Sequence, residues 1–134
     1  MIRLKDILSE GMSKNDINKI VSRVYPKIVK DLGKARKGIP KIKIGSNIYA
    51  RYSGIEDHPG GEREKAEFVH EDNTIYLYSS ALNSEEDVIR SILHEYTHAK
   101  QDPKKIKAGR EKGYKNNPTE KEARRAEKNW KKYV

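Results

Sequence analysis

The 134-residue chain lacks cysteine and has only one Trp and one Phe. The absence of cysteine excludes disulfides, thiolate nucleophiles and Cys-ligated zinc, so any metal must be held by His, Asp or Glu. No apolar run is long enough to cross a membrane, and Lys5 and Asp6 interrupt the stretch where a signal peptide needs an apolar centre. These absences predict a cytoplasmic protein with no membrane contact.

Charge is plentiful and unevenly distributed. Charged residues make up 37% of the chain and hydrophobic residues 34%, which predicts a small core, and the net charge is +9. Residues 104–134 carry twelve Lys or Arg against four Glu, so +8 of the net charge of +9 lies in this C-terminal part. Such a run is usually a solvated face; the functional alternative is nonspecific binding of nucleic acid, or of an acidic partner, through residues 104–132.

The periodicity of the chain predicts one α+β domain over residues 1–134, in the order N-terminal helix, small sheet and two further helices. We interpret residues 1–12 as a flexible arm. A helix follows from the capping residue Ser13, and Pro26 should kink or break it near Tyr25. Gly33 or Gly38 should end it.

Alternating segments then predict a sheet of three or four strands. Residues 41–44 and 47–52 look like one hairpin, and residues 66–70 and 75–78 look like another. Between the hairpins, residues 54–61 are predicted to form a mobile loop. Residues 103–116 read as a basic connection, and Asn117-Pro118 should open the last helix as cap and first helical residue.

The stretch from Ser84 to Asp102 contains H-E-Y-T-H and is predicted to form an amphipathic helix. Ser84 is a suitable N-cap, and three acidic residues follow it at the positive end of the helix dipole. Apolar residues recur at helical spacing along one face, while His94 and His98 lie one above the other on the opposite side. One face should therefore pack while the other presents two imidazoles.

Two His four residues apart on a helix can bind one Zn²⁺, and the Glu between them can act as general base toward a metal-activated water. The pattern therefore predicts a zinc peptidase with His94 and His98 as metal ligands and Glu95 as the base. The ordinary alternative is a pair of surface histidines beside an exposed Glu. Gln101 lies one turn beyond His98 and is a candidate to orient a ligand.

A catalytic zinc needs a third protein ligand. Glu120 and Glu122 flank the apolar seam of the last helix, and helical geometry does not choose between them. Glu120 also has an ordinary role as the third helical residue behind the Asn117 cap. A donor for the oxyanion would complete the site, with Tyr114 preferred and His70 second.

H-E-Y-T-H followed by the E-x-E-A segment at Glu120 resembles the zincin superfamily of zinc metallopeptidases, in the subgroup whose third ligand is Glu. The pairing is most similar to the small ImmA/IrrE-type peptidases of bacteria and phages, over residues 75–128. The resemblance implies a minimal zincin-like domain, one Zn²⁺ held by His94, His98 and Glu120, and a peptide or protein substrate. Arg124 stands where the family has Asn, which leaves the choice between Glu120 and Glu122 open.

The resemblance also implies that substrate binds in extended form along an edge strand, for which residues 75–79 are the natural candidate. The rival to the peptidase is a zincin-like fold that serves as a non-catalytic structural or binding protein, with the basic segment as its binding surface. The intact His94, Glu95 and His98 favour the enzyme.

Overall fold

The computed structural model describes residues 11–46, 64–110 and 117–134. In these segments the chain forms an α+β fold, with four α-helices and one three-stranded sheet. The helices and strands follow in the order α1 Lys14–Leu32, β1 Lys41–Gly45, β2 Ala66–Val69, β3 Thr74–Tyr78, α2 Glu85–Lys100, α3 Pro103–Arg110 and α4 Pro118–Glu127. Short 3₁₀ turns at Ser79–Ala81 and Trp130–Tyr133 complete these segments. None of the described helices is long and apolar enough to cross a membrane.

Helix α1 begins at its predicted cap, where the Ser13 side chain accepts a hydrogen bond from the Asp16 amide. It ends at Gly33, whose φ of 79° lies in the region that favours glycine. The helix continues through Pro26, so the predicted break does not occur. Val24 and Ile28, both fully buried, hold the turns on either side of the proline against the core, and this packing offsets the lost backbone hydrogen bond.

The end of the predicted arm is packed against the domain. The Met12 amide donates to the Leu82 carbonyl at 2.8 Å, and the Met12 side chain packs against the core. Gly11 has a φ of 89°, and a Cβ there would lie 2.0 Å from the Ser79 carbonyl oxygen, so only glycine fits. Residues 1–10 lie outside the described part of the chain.

The sheet has the order β1-β3-β2, so β3 is the central strand. Strands β2 and β3 form the predicted antiparallel hairpin, with Asn73 at a φ of 48° in its turn. Strand β1 pairs with β3 in parallel, in the register that sets Ile42 opposite Ile75. The strand predicted over residues 47–52 as the hairpin partner of β1 lies outside the described residues. The loop predicted over residues 54–61 lies outside them as well.

Strand order corrects the prediction about the substrate edge. Residues 75–79 were expected to leave a backbone edge free, but β3 is hydrogen-bonded to β1 on one side and to β2 on the other. Within the described sheet, β2 is the outer strand on the side of α2. Among the described strands, β2 and not β3 is therefore the candidate to pair with an extended peptide beside α2.

Helix α2 packs its apolar face on the sheet and on α1. Val88, Ile89, Ile92 and Tyr96 are fully buried there, among the core residues contributed by α1 and β3. The Tyr96 hydroxyl donates to the Gly33 carbonyl, which ties α2 to the end of α1. Ser84 accepts from the Asp87 amide as the predicted cap.

Residues 103–110 form helix α3, where the sequence predicted only a connection. Asp102 caps this helix, because its carboxylate accepts from the Lys104 amide at 2.9 Å, and Pro103 occupies the first helical position. The last helix, α4, begins as predicted with Asn117 accepting from the Thr119 amide. Helix α4 packs along α2, which places Glu120 and Glu127 of α4 beside the two histidines.

Candidate metal centre

His94 and His98 lie one turn apart on α2, and their Nε2 atoms face the same carboxylate. His94 Nε2 lies 3.0 Å from Glu120 Oε1, and His98 Nε2 lies 3.2 Å from Glu120 Oε2. One ligand atom from each of the three residues falls within 4.8 Å of the other two. The three residues are therefore close enough to hold one metal ion.

The other nitrogen of each imidazole, Nδ1, makes a hydrogen bond to a neighbouring side chain. His94 Nδ1 donates to Glu127 Oε2 at 2.7 Å, and His98 Nδ1 donates to Gln101 Oε1 at 2.7 Å. A histidine that donates through Nδ1 presents the Nε2 lone pair in its neutral form, which is the tautomer a metal needs. The geometry thus directs both Nε2 atoms to one point.

The Gln101 amide has a well-defined orientation. Its Nε2 donates to the Thr119 carbonyl at 3.0 Å and to Glu122 Oε1 at 2.8 Å, so its oxygen is left to face His98. The structure thereby separates the two glutamates that the sequence left open. Glu120 faces the imidazoles directly, whereas Glu122 reaches His98 only through Gln101.

Burial and hydrogen bonding act in opposite directions on the charges of this cluster. Burial acts to lower the pKa of His94, but the hydrogen bonds to Glu120 and Glu127 outweigh it and raise the pKa to about 10. The pKa of His98 is raised in the same way, mainly by Glu120 and the charge of Glu95. Burial likewise acts to raise the pKa of Glu120, and the two imidazoles hold that pKa well below its usual range. Without a metal, then, the cluster is a network of charged hydrogen bonds.

Glu95 is 9% exposed and lines the same cleft. Burial raises the pKa of its carboxyl to about 7, against the lowering effect of the charges on His94 and His98. A carboxyl group whose pKa lies near neutrality is suited to accept and return a proton. Glu95 is therefore the described acid in this cleft best placed for general base work.

The cleft has a volume of about 590 Å³ and is walled by three segments. Helix α2 supplies the histidines, residues 64–68 around β2 form the opposite wall, and α4 supplies Glu120 and Glu127. A larger groove of about 1020 Å³ lies elsewhere, between α2, α3, α4 and the end of α1. The larger groove is not lined by His94, Glu95 or His98, so the candidate metal ligands lie in the smaller cleft.

The structure tests one of the two predicted oxyanion donors, His70, and does not bring it to the cleft. Tyr114 lies outside the described residues. His70 lies in the turn after β2, with its ring edge-on to Phe68 at a centroid separation of 4.6 Å, and it is not among the described residues that line the cleft.

Sequence reasoning missed Glu127. Glu120 and Glu127 are seven residues apart, so two helical turns place them on the same face of α4. That spacing is the signal that could have identified Glu127. Its carboxylate contacts the same imidazole as Glu120 does, but at the opposite ring nitrogen.

The described basic residues between 104 and 132 lie mostly on the surface. Lys132 pairs with Asp31 at 3.0 Å. Several exposed lysines of the region form no ion pair with the described residues, namely Lys104, Lys105, Lys107, Lys121, Lys128 and Lys131. Binding of nucleic acid or of an acidic partner through residues 104–132 stays a prediction.

Comparison of the chain with protein-family models, with curated proteins and with solved structures gave no match. The function of the chain must therefore be inferred from the geometry of the cleft and from the H-E-Y-T-H pattern within it.

Proposed function

We propose that this protein is a zinc-dependent peptidase, with His94, His98 and Glu120 as the metal ligands and Glu95 as general base. One observation carries the proposal. Two imidazole Nε2 atoms and one carboxylate converge, with both Nδ1 atoms already hydrogen-bonded, beside a buried glutamate of raised pKa. The resemblance of H-E-Y-T-H and E-x-E-A to the zincin superfamily supports the same conclusion.

The donor set fits zinc. Two imidazole nitrogens and one carboxylate oxygen are ligands that Zn²⁺ takes, and three protein ligands leave a fourth position open as catalytic sites require. The ligand atoms are already within 4.8 Å of each other, so only small side-chain movements are needed to gather them around an ion. The orienting contacts to Glu127 and Gln101 provide the outer support that zinc-bound histidines usually have.

Bound zinc would supply Lewis acidity toward the scissile carbonyl and would ease ionisation of water. Glu95 takes a proton from the attacking water as the new C–O bond forms. It then returns that proton to the amide nitrogen as the C–N bond breaks, so that the amine leaves neutral. Strand β2 and the residues before it, which form the wall opposite α2, would hold the peptide in extended form.

The proposal is tested by combining metal analysis with a peptide-cleavage assay. Purified protein is expected to hold about one zinc per chain and to cleave a fluorogenic peptide library in a chelator-sensitive manner. Glu95→Gln should keep the zinc and lose activity by roughly 10²- to 10⁴-fold. His94→Ala should lose both zinc and activity.

Two outcomes would change the assignment. Chelator-sensitive cleavage that persists in Glu95→Gln would show that another group is the base. Stoichiometric zinc without cleavage of any library member would instead favour the non-catalytic alternative, in which the same cluster serves a structural or binding role.

A further inference from the structure

Glu127 is the last residue of α4, and its Oε2 lies 2.7 Å from His94 Nδ1. We propose that Glu127 is a positioning residue, which fixes the orientation of the His94 ring and thereby sets the affinity and geometry of the metal site. The inference rests on the proposed metal site but not on peptide cleavage. It concerns a residue outside the ligand set and seven residues beyond Glu120.

The contact with Glu127 is a hydrogen bond between partly buried groups. The His94 side chain is 14% exposed and that of Glu127 is 27% exposed, so water competes only in part for the imidazole. Both neighbours of the ring are carboxylates, which only accept hydrogen bonds, so in the metal-free protein His94 donates from Nδ1 to Glu127 and from Nε2 to Glu120. With a metal on Nε2, Nδ1 would still donate to Glu127, so Glu127 holds the ring in the orientation that directs Nε2 toward the other metal ligands.

A cation also lies near Glu127, at the longer distance of an ion pair without a hydrogen bond. The other carboxylate oxygen of Glu127, Oε1, lies 3.9 Å from Arg90 Nε, and Arg90 lies one turn before His94 on α2. Arg90 is in turn held by Glu86, whose Oε2 lies 3.1 Å from the guanidinium. Glu127 is thus placed between a cation and an imidazole of the same helix, with one oxygen directed to each.

The two histidines have orienting groups of different charge. His98 donates to the neutral amide of Gln101, whereas His94 donates to the carboxylate of Glu127. A carboxylate makes the imidazole a more basic ligand than an amide does, because its negative charge stabilises positive charge shared with the metal. Loss of Glu127 should therefore affect metal binding more than loss of the contact to Gln101.

A purely structural role for Glu127 is the competing explanation, since the residue also joins the end of α4 to α2. The two roles differ in what they change. A structural tether would lower the stability of the metal-free protein and leave the metal environment of the folded molecules unaltered. A positioning residue would change the metal affinity and the coordination geometry of protein that remains folded.

The test compares the wild-type chain with Glu127→Ala, Glu127→Gln and the matched control Glu86→Ala. Glu86 contacts the same arginine but not His94, so the control removes a carboxylate from Arg90 without touching an imidazole. Zn²⁺ affinity is measured by competition with a chromophoric chelator, and the visible spectrum of the Co²⁺-loaded protein reports coordination geometry. Circular dichroism shows which variants are folded.

Glu127→Ala is expected to weaken Zn²⁺ binding by about 10- to 100-fold and to alter the Co²⁺ spectrum. Glu127→Gln should recover part of the affinity, because its amide oxygen can still accept from Nδ1. Glu86→Ala should stay within about threefold of wild type, as expected for a surface ion pair.

Unchanged Zn²⁺ affinity and an unchanged Co²⁺ spectrum in folded Glu127→Ala would overturn the inference. An equal loss in Glu86→Ala would also overturn it, since the effect would then come from the charge near Arg90. A wild-type chain that binds zinc but cleaves no peptide would refute the proposed peptidase while leaving this inference intact. A wild-type chain that binds no zinc would overturn both.

Discussion

The two faces of α2 both contain buried side chains, but they are stabilised by different chemistry. On the core face, Ile92 and Tyr96 are fully buried among apolar side chains. On the cleft face, Glu95 and His98 are each only 9% exposed, and their neighbours are charged. Burial of apolar groups stabilises the fold, whereas buried charges are costly unless they are paired. Stability and metal binding should therefore depend on opposite sides of the same helix.

The largest expected effect on the core face comes from Ile92→Ala. Removing this fully buried side chain should lower the free energy of unfolding by about 3 kcal/mol, through lost burial and the cavity left behind. Urea denaturation followed by circular dichroism measures the change. The protein that remains folded should bind Zn²⁺ with unaltered affinity. A loss of affinity of about tenfold or more, which corresponds to roughly 1.4 kcal/mol, would show that the two faces are energetically coupled.

On the cleft face, the sharpest comparison is Glu120→Gln against Glu122→Gln. Zinc sites with four protein ligands bind with roughly 10–16 kcal/mol, so one lost ligand should cost about 3 kcal/mol, or more than about a hundredfold in affinity. Glu122 contacts Gln101 and reaches His98 only through it, so its variant should lose less than about tenfold. Chelator competition measures both. The reverse ranking would mean that Glu122 is the ligand.

The chain's sequence predicted the local features of α2 but not their surroundings. Ser84 as cap, the apolar face and the pairing of His94 with His98 depend on residues within a few turns of one another. The choice between Glu120 and Glu122 depends on how α4 docks against α2, which is a tertiary property. Strand order is tertiary as well, and this is why β3 was wrongly expected at an edge.

The start of α3 and the role of Glu127 were not predicted, although both have a local signal in the sequence. The sequence predicts that α2 ends by Asp102, and it does end at Lys100, but Asp followed by Pro is also a helix start, and Asp102 caps α3. Glu127 shares a face of α4 with Glu120, and the seven-residue spacing was overlooked. In both cases the residue and its spacing can be read from the sequence, but the contact that reveals its role is made with a residue of another helix.

Metal binding offers a way to couple the two faces. If the ligands are assembled only in the folded chain, zinc at a free concentration of a hundred times Kd should stabilise the protein by about 2.7 kcal/mol. Thermal unfolding with and without zinc measures the shift. His98→Ala should abolish the shift, because its Nε2 no longer faces Glu120. A shift of the same size in this variant would place the bound zinc elsewhere in the chain.

The smallest expected effect lies at the rim of the core, where Asp31 meets the C-terminal turn. The hydrogen bond from the Tyr133 hydroxyl, and then the contact with Lys132, lower the pKa of the Asp31 carboxyl. A pKa below the unfolded value means that this stabilisation is present above about pH 4 and is lost as the pH falls through the folded pKa.

Asp31→Asn should therefore flatten the acid limb of the stability profile, that is, the fall in the free energy of unfolding between roughly pH 6 and pH 3, which urea unfolding measures. Zinc affinity at neutral pH should change little. Lys132→Ala is the matched variant. It should flatten the limb less, because the hydrogen bond from Tyr133 is the larger cause of the shift and stays in place. An equal or greater effect in Lys132→Ala would mean that surface charge, and not the anchoring of buried Tyr133, determines the contribution of Asp31 to the core face.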